Sequence, residues 1–209
     1  MKPAQKKYRA IIFDFGGVIS RDGNFRKFSQ QLARDHGVAR DVLWEVMIDA
    51  WLAARVDRRH DRAFWQRVSK TLGISASHFR NDVRRSTKMR PGMIAFIARL
   101  KKHYRIALLS NHIAGWLEWM LDAHDLRKLF DVIVPSYDTG LRKPDPAIYR
   151  LALKKLSVRA AECIFIDDLE PNISPASELG ITAILFEGQR ALEQKLRQLK
   201  VLPSPRSTR

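Results

Sequence analysis

The run Ala10-Ile11-Ile12-Phe13 ends in a single carboxylate, Asp14, and two glycines follow almost at once, Gly16 and Gly17. A short apolar run with β-branched content, bounded by a turn signal, describes a strand buried on both faces, the habit of parallel sheets. Parallel strands oblige the chain to return through crossover segments, usually helices. The same geometry delivers Asp14 to the C-terminal edge of the sheet, where open α/β sheets bind their ligands.

The strand–helix alternation this demands begins only at residue 91. Before it, Phe25, Phe28 and Leu32 recur at helical spacing, with Gly37 placed to stop the helix, and Leu43, Met47, Ala50, Trp51 and Ala54 form a second stripe. Asp61 is placed to cap a third helix carrying Phe64, Trp65, Val68 and Leu72 ahead of Gly73. Ser75 is placed to cap a fourth, with Phe79 and Val83 inward. Four short helices without a strand read as a bundle inserted after strand one. Arg90-Pro91-Gly92 then returns the chain to the main unit.

From there helices are expected at residues 93–102, 114–129, 146–156, 175–179 and 189–199. Strands are expected at 105–110, 131–136, 161–167 and 181–186, the second of these suited to an edge by Pro135. The fold class is therefore α/β, a doubly wound parallel sheet formed by residues 1–19 and 91–200. A four-helix cap occupies residues 20–90, and residues 201–209 are expected to be a disordered tail.

Polar residues collect at the strand ends. Asp14 follows the first strand, Ser110 and Asn111 the second, Lys143 the third, and Asp167-Asp168 the fourth, with Asn172 shortly beyond. One sheet edge gathers them all. Carboxylates at Asp14 and Asp168, without Cys or clustered His, suit a hard oxygen-ligated ion such as Mg²⁺. Such an ion offsets the repulsion between a phosphate and a carboxylate nucleophile. Lys143 adds positive charge, and the Ser110 hydroxyl can donate to a phosphoryl oxygen.

With these residues the chain resembles the haloacid dehalogenase-like hydrolase superfamily, in the branch with a helical cap after the first core strand. All four motifs stand in order, over nearly the whole chain to Gly188. The resemblance implies an aspartyl-phosphate intermediate on Asp14, a phosphate-binding Ser110 with Asn111 beside it, and Lys143 stabilising nucleophile and phosphate. It implies metal ligation by Asp14, Asp168 and the Gly16 carbonyl, with Asp167 and Asn172 supporting the metal or its waters. The implied activity is Mg²⁺-dependent hydrolysis of a small phosphorylated metabolite, a sugar phosphate being one candidate.

One departure stands out: phosphatases of this superfamily usually carry a second Asp where this chain has Gly16. Glycine transfers no proton, and losing a general acid–base group costs about 10²–10⁴-fold. That favours leaving groups needing little protonation. His112, Asp22 and His60 are open as replacement acids, and the sequence singles out none of them. Two other readings stay open: a 2-haloacid dehalogenase-type hydrolase, and a catalytically weak scaffold acting as a basic binding protein.

The last alternative rests on charge. The formal net charge is +16, and residues 21–90 hold 16 Lys and Arg against 8 Asp and Glu, densest at Arg58-Arg59 and Arg84-Arg85. Such a surface suits nucleic acid or another polyanion. Cys163, the single cysteine, sits in an apolar run and permits no disulfide within one chain. No apolar run approaches a membrane span, and Asp14 interrupts the apolar stretch after the basic N-terminus too early for a secretory signal. A cytoplasmic location is expected.

Overall fold

The structure is a computed structural model that describes residues 7–21 and 25–203. Its centre is a five-stranded sheet in the order β3-β2-β1-β4-β5. The strands are β1 (Ala10–Phe13), β2 (Arg105–Ser110), β3 (Val132–Pro135), β4 (Cys163–Asp167) and β5 (Thr182–Leu185), and all pairings are parallel. The β1 register sets Phe13 against Leu108 of β2 and Ile166 of β4. Asp14, Ser110 and Asp167 therefore emerge at one edge. Pro135 ends β3, an edge strand, as its missing N–H requires.

Successive strand residues point to opposite faces, and the core divides accordingly. Ile11, Phe13, Leu108 and Ile166 face one way. Ala10, Ile12, Leu109 and Phe165 face the other, onto Ile148, Tyr149 and Ala152 of α8 (Pro146–Leu156). Helices α5 (Pro91–Lys101) and α6 (Ala114–Ala123) bring Phe96, Ile97, Leu117 and Leu121 into the first cluster.

Between β1 and α5 stand α1 (Phe25–Asp35), α2 (Arg40–Ala54), α3 (Asp61–Thr71) and α4 (Ala76–Ser86), which form the inserted helical unit. Their inward residues, among them Leu43, Met47, Phe64, Val68 and Phe79, join the same apolar cluster as the sheet's first face. The insert leaves and re-enters the sheet unit side by side. Arg21 N–H donates to the Lys88 carbonyl (2.7 Å), Arg90 N–H donates to the Ile19 carbonyl (2.9 Å), and Ser20 pairs antiparallel with Met89.

Several expectations change. Helix α6 stops at Ala123, because Asp125 adopts a left-handed backbone (φ 51°) and a short 3₁₀ turn follows at Arg127–Leu129. A one-turn helix, α7 (Ser136–Thr139), closes β3. The helix expected at 175–179 is α9 (Glu170–Glu178). Pro171 sits in its first turn, where a missing N–H costs nothing, and it packs on β4 and β5 despite Pro175. Asp61 does not cap α3. It is the helix's first residue, and its carboxylate accepts from Gly115 N–H (2.8 Å) and from Trp65 Nε1 (3.0 Å).

Ser75 does cap α4, accepting from His78 N–H at 3.1 Å. Beyond α10 (Gln189–Gln198), Val201 is buried and its carbonyl accepts from Tyr104 Oη (3.0 Å), so chain order continues past residue 200. The rest of the expected tail, 204–209, and Asp22 lie outside the described residues.

Candidate active site

Burial dictates the electrostatics at the sheet edge. Lys143, only 2% exposed, lies between two carboxylates, its Nζ 2.7 Å from Asp14 Oδ1 and 2.5 Å from Asp167 Oδ2. Burial alone would discharge a lysine. Here the two carboxylates outweigh it and hold the lysine's pKa above its ordinary value.

The loop that carries Lys143 is fixed by Asn111. Its side chain donates to the Lys143 carbonyl (2.8 Å) and accepts from the Lys143 N–H (2.9 Å). Asp167 is likewise fully engaged. One oxygen takes the Lys143 ammonium, and the other accepts from Leu169 N–H and Asn172 Nδ2, both at 2.9 Å. Asn111 and Asp167 thus bond Lys143 directly, and Asn172 orients Asp167.

Burial pushes the Asp14 carboxyl up to about 7, with Lys143 pulling down and Asp167 adding to the rise. Burial and the Asp167 charge push Asp168 up to about 6. Asp14, Asp167 and Asp168 each offer an oxygen within 4.8 Å of the others. Three carboxylates around one ammonium leave negative charge uncompensated, and hard oxygen donors fit a divalent cation such as Mg²⁺.

Gly17 makes room for this cluster. Its φ is +73°, and a Cβ there would stand 1.9 Å from Asp168 Oδ2. The double glycine Gly16-Gly17 carries that signal in the sequence.

These groups line one cavity of about 200 Å³, which Asp14, Gly16, Ser110, Asn111, Lys143 and Asp168 share with residues of the insert. The lining also includes Phe25, Trp51 and Arg55 of the insert and Trp116 and His112 of the sheet unit. Nothing in the local sequence marks Arg55 or Trp51 as site residues. They arrive because α2 ends over the strand edge, where the Ser136 hydroxyl donates to the Arg55 carbonyl and accepts from His112 N–H (3.2 Å).

The candidate acids fare differently. The His112 ring packs edge-on against Trp51 (5.1 Å) and Trp116 (5.4 Å). Its Nδ1 accepts from Ile113 N–H (3.0 Å), and burial pushes its pKa down to about 4. At neutral pH it is an uncharged ring. His60 is exposed and lies off the cavity.

The basic points of the insert are largely engaged by their surroundings. Arg58 pairs with Asp138 and Glu118, Arg59 with Asp57, and Arg85 with Asp82, while Arg84 lies over the Trp119 ring. Cys163 is buried and its thiol is pushed up to about 12. Among the described residues no helix is long and apolar enough to cross a membrane.

A family model described as haloacid dehalogenase-like hydrolase matches residues 8–180. Acyl-CoA dehydrogenase family member 10 of Mus musculus is 29% identical over 225 residues, covering 95% of this chain and 20% of the relative. The chain spans about a fifth to two fifths of the length of several curated relatives it matches. Sesquiterpene phosphatase astK of Aspergillus oryzae is 26% identical over 197 residues, covering 92% of this chain and 96% of the relative. Among solved structures, a mutant of the HAD family enzyme bt-2542 from Bacteroides thetaiotaomicron, in complex with magnesium and inorganic phosphate, aligns with a TM-score of 0.72. That alignment has 19% identity and covers 85% of this chain and 93% of that one, a likeness of fold.

Proposed function

The chain belongs to the haloacid dehalogenase-like hydrolase family, and from that premise we propose that it is a Mg²⁺-dependent phosphatase of a small phosphorylated metabolite, with Asp14 as nucleophile. The observation that carries this reading is Lys143, buried between Asp14 and Asp167 while Asp168 stands by as a further carboxylate. Asp14, Asp167 and Asp168 each offer an oxygen within 4.8 Å of the others and fit a divalent cation, which favours metal-assisted phosphate chemistry over a 2-haloacid dehalogenase-type reaction. In this reading residues 1–19 and 91–200 are the catalytic core and residues 20–90 the cap, at work in the cytoplasm, where the single thiol stays reduced.

Asp14, Asp168 and the Gly16 carbonyl would hold the metal, which when bound supplies positive charge that lets a phosphate dianion approach a carboxylate. Asp14 attacks phosphorus, the P–O bond to the alcohol breaks, and the phosphoryl group rests on the Asp14 carboxylate. Lys143 balances charge on Asp14 and the phosphoryl oxygens, and Ser110 donates a hydrogen bond to one of them. With Gly16 at the usual acid's place, the leaving oxygen departs as an alkoxide or phenolate and takes its proton from solvent. Water then cleaves the aspartyl phosphate, releasing inorganic phosphate and restoring Asp14. The 200 Å³ cavity lies below the ~300–1,000 Å³ of drug-sized pockets, which supports a substrate only a few heavy atoms larger than phosphate.

The test is a panel of small phosphomonoesters with Mg²⁺ or EDTA. Phosphate release is expected only with the metal, and its disappearance in Asp14→Asn. A panel silent with Mg²⁺ and with other divalent ions overturns the proposal.

A further inference from the structure

We propose that Arg55 selects phosphomonoesters carrying a second oxyanion, a carboxylate or a second phosphate, within a few atoms of the scissile phosphate. This deepens the phosphatase reading and rests on it.

Arg55 lines the same cavity as Asp14, Ser110 and Lys143. Its guanidinium Nε is buried and has no hydrogen-bond partner. Among the described residues it makes no ion pair, whereas Arg58, Arg59, Arg67 and Arg85 of the same insert each meet a carboxylate. A buried donor left unsatisfied costs about 1–3 kcal/mol, more when charged, so such groups call for a functional explanation.

The placement is rigid. Arg55 ends α2, its N–H donating to the Trp51 carbonyl, while its own carbonyl accepts from the Ser136 hydroxyl. Ser136 is itself held by His112 N–H (3.2 Å), in the loop that follows Ser110. The residue is therefore tied to the phosphate side of the cavity through two hydrogen bonds. The same lining includes the aromatic rings of Phe25, Trp51 and Trp116. Burial and the like charge of Arg142 both disfavour the charged form of Arg55, and among the described residues Arg142 too lacks an ion pair. Arg55 is thus a partly buried cation in the cavity lining without a carboxylate partner among the described residues, and it can take an anion from outside. A planar guanidinium suits a carboxylate or phosphate by its fork of donors. The small cavity fixes the spacing: a ligand reaching from Ser110 to Arg55 has room for few intervening atoms.

The experiment uses matched short-chain phosphomonoesters ending in a carboxylate, a second phosphate or an uncharged carboxamide, with p-nitrophenyl phosphate as a substrate lacking the second group. With Mg²⁺, the wild-type protein is expected to favour one or both anionic forms over the carboxamide by about 10- to 100-fold in kcat/KM, the range for a charge-assisted hydrogen bond. Arg55→Gln is expected to bring that ratio to within about threefold of one. Should Arg55→Gln fail to fold, Arg55→Met, which keeps an aliphatic stem, takes its place. A wild-type ratio near one overturns the inference without any variant, and so does a ratio the substitution leaves intact. If p-nitrophenyl phosphate is turned over through Asp14 but no anionic preference appears, the Arg55 inference alone falls. If no ester is hydrolysed, the phosphatase reading falls and takes the inference with it.

Discussion

Lys143 Nζ reaches Asp14 and Asp167 at once, at 2.7 and 2.5 Å, from a position 2% exposed. One ammonium thus neutralises part of the charge of two carboxylates that come from different strands of the sheet.

Lys143→Met should therefore cost more than catalysis. Removing one partner of a buried charge pair leaves the others uncompensated and typically costs about 3–5 kcal/mol. Denaturant unfolding of the variant should show a loss of that order together with loss of phosphate release. A loss under about 1 kcal/mol would mean the lysine carries little of the cluster's charge balance.

Gly17→Ala is the sharpest steric test. The left-handed backbone costs about 1–2 kcal/mol with a Cβ, and that Cβ would sit 1.9 Å from Asp168 Oδ2. Asp168 must move, so Mg²⁺ affinity by calorimetry and turnover should both fall at least about tenfold. Retention of both would show that Asp168 does not hold the metal.

Gly16→Asp probes the missing acid. Gly16 is not among the described glycines with left-handed φ, so a side chain meets no backbone penalty there. The wild-type rate should depend steeply on leaving-group pKa. The variant should flatten that slope and raise turnover of alkyl phosphates by about 10²-fold, the lower end of general acid catalysis. Identical slopes would remove proton transfer from the argument.

His112 predicts a pH signature in stability. Its folded pKa is pushed to about 4, against an ordinary 6.5. Between those values the unfolded chain binds a proton that the folded protein refuses, so stability is lost as pH falls through this window. The shift corresponds to about 3 kcal/mol in all. Asp14 and Asp168 are raised and drive the opposite slope, so the readout is wild type minus His112→Gln, measured from pH 7 to 4. Parallel curves would show that the ring is not held neutral.

Two contacts between insert and sheet unit should differ in weight. Arg58 bonds Asp138 and Glu118 from a side chain 52% exposed, and Arg58→Ala should cost about 1 kcal/mol or less, shrinking with salt. Asp61→Ala strips the acceptor from Gly115 N–H and Trp65 Nε1 and should cost about 1–3 kcal/mol, insensitive to salt. Equal, salt-dependent losses would refute that ranking.

Much of the fold could be read in advance because its signals are local. The β1 run, the glycines at 37 and 73 with φ of +66° and +69°, and the Ser75 cap each depend on residues within a few positions. The gathering of Asp14, Ser110, Lys143 and Asp168 was legible for a related reason: parallel strands must bring their C-terminal ends together. Asp61 misled because a capping pattern considers only the next turn, whereas its carboxylate is used by Gly115, 54 residues away. Asn111 and Asp167 were expected beside the phosphate and in support of the metal; that their side chains also bond Lys143 depends on residues more than 20 positions away.

By itself, then, the sequence determined a parallel α/β sheet with a helical insert, and which strand ends carry carboxylate, hydroxyl and ammonium. Periodicity, capping and glycine conformations are properties of neighbouring residues. Only the tertiary structure decided that Arg55 lines the same cavity as Asp14, that the Ser136 hydroxyl bonds its carbonyl from 81 residues away, and that His112 is neutral. The physical reason is that desolvation and long-range hydrogen bonds depend on what the folded chain packs around a group, and no local pattern encodes that.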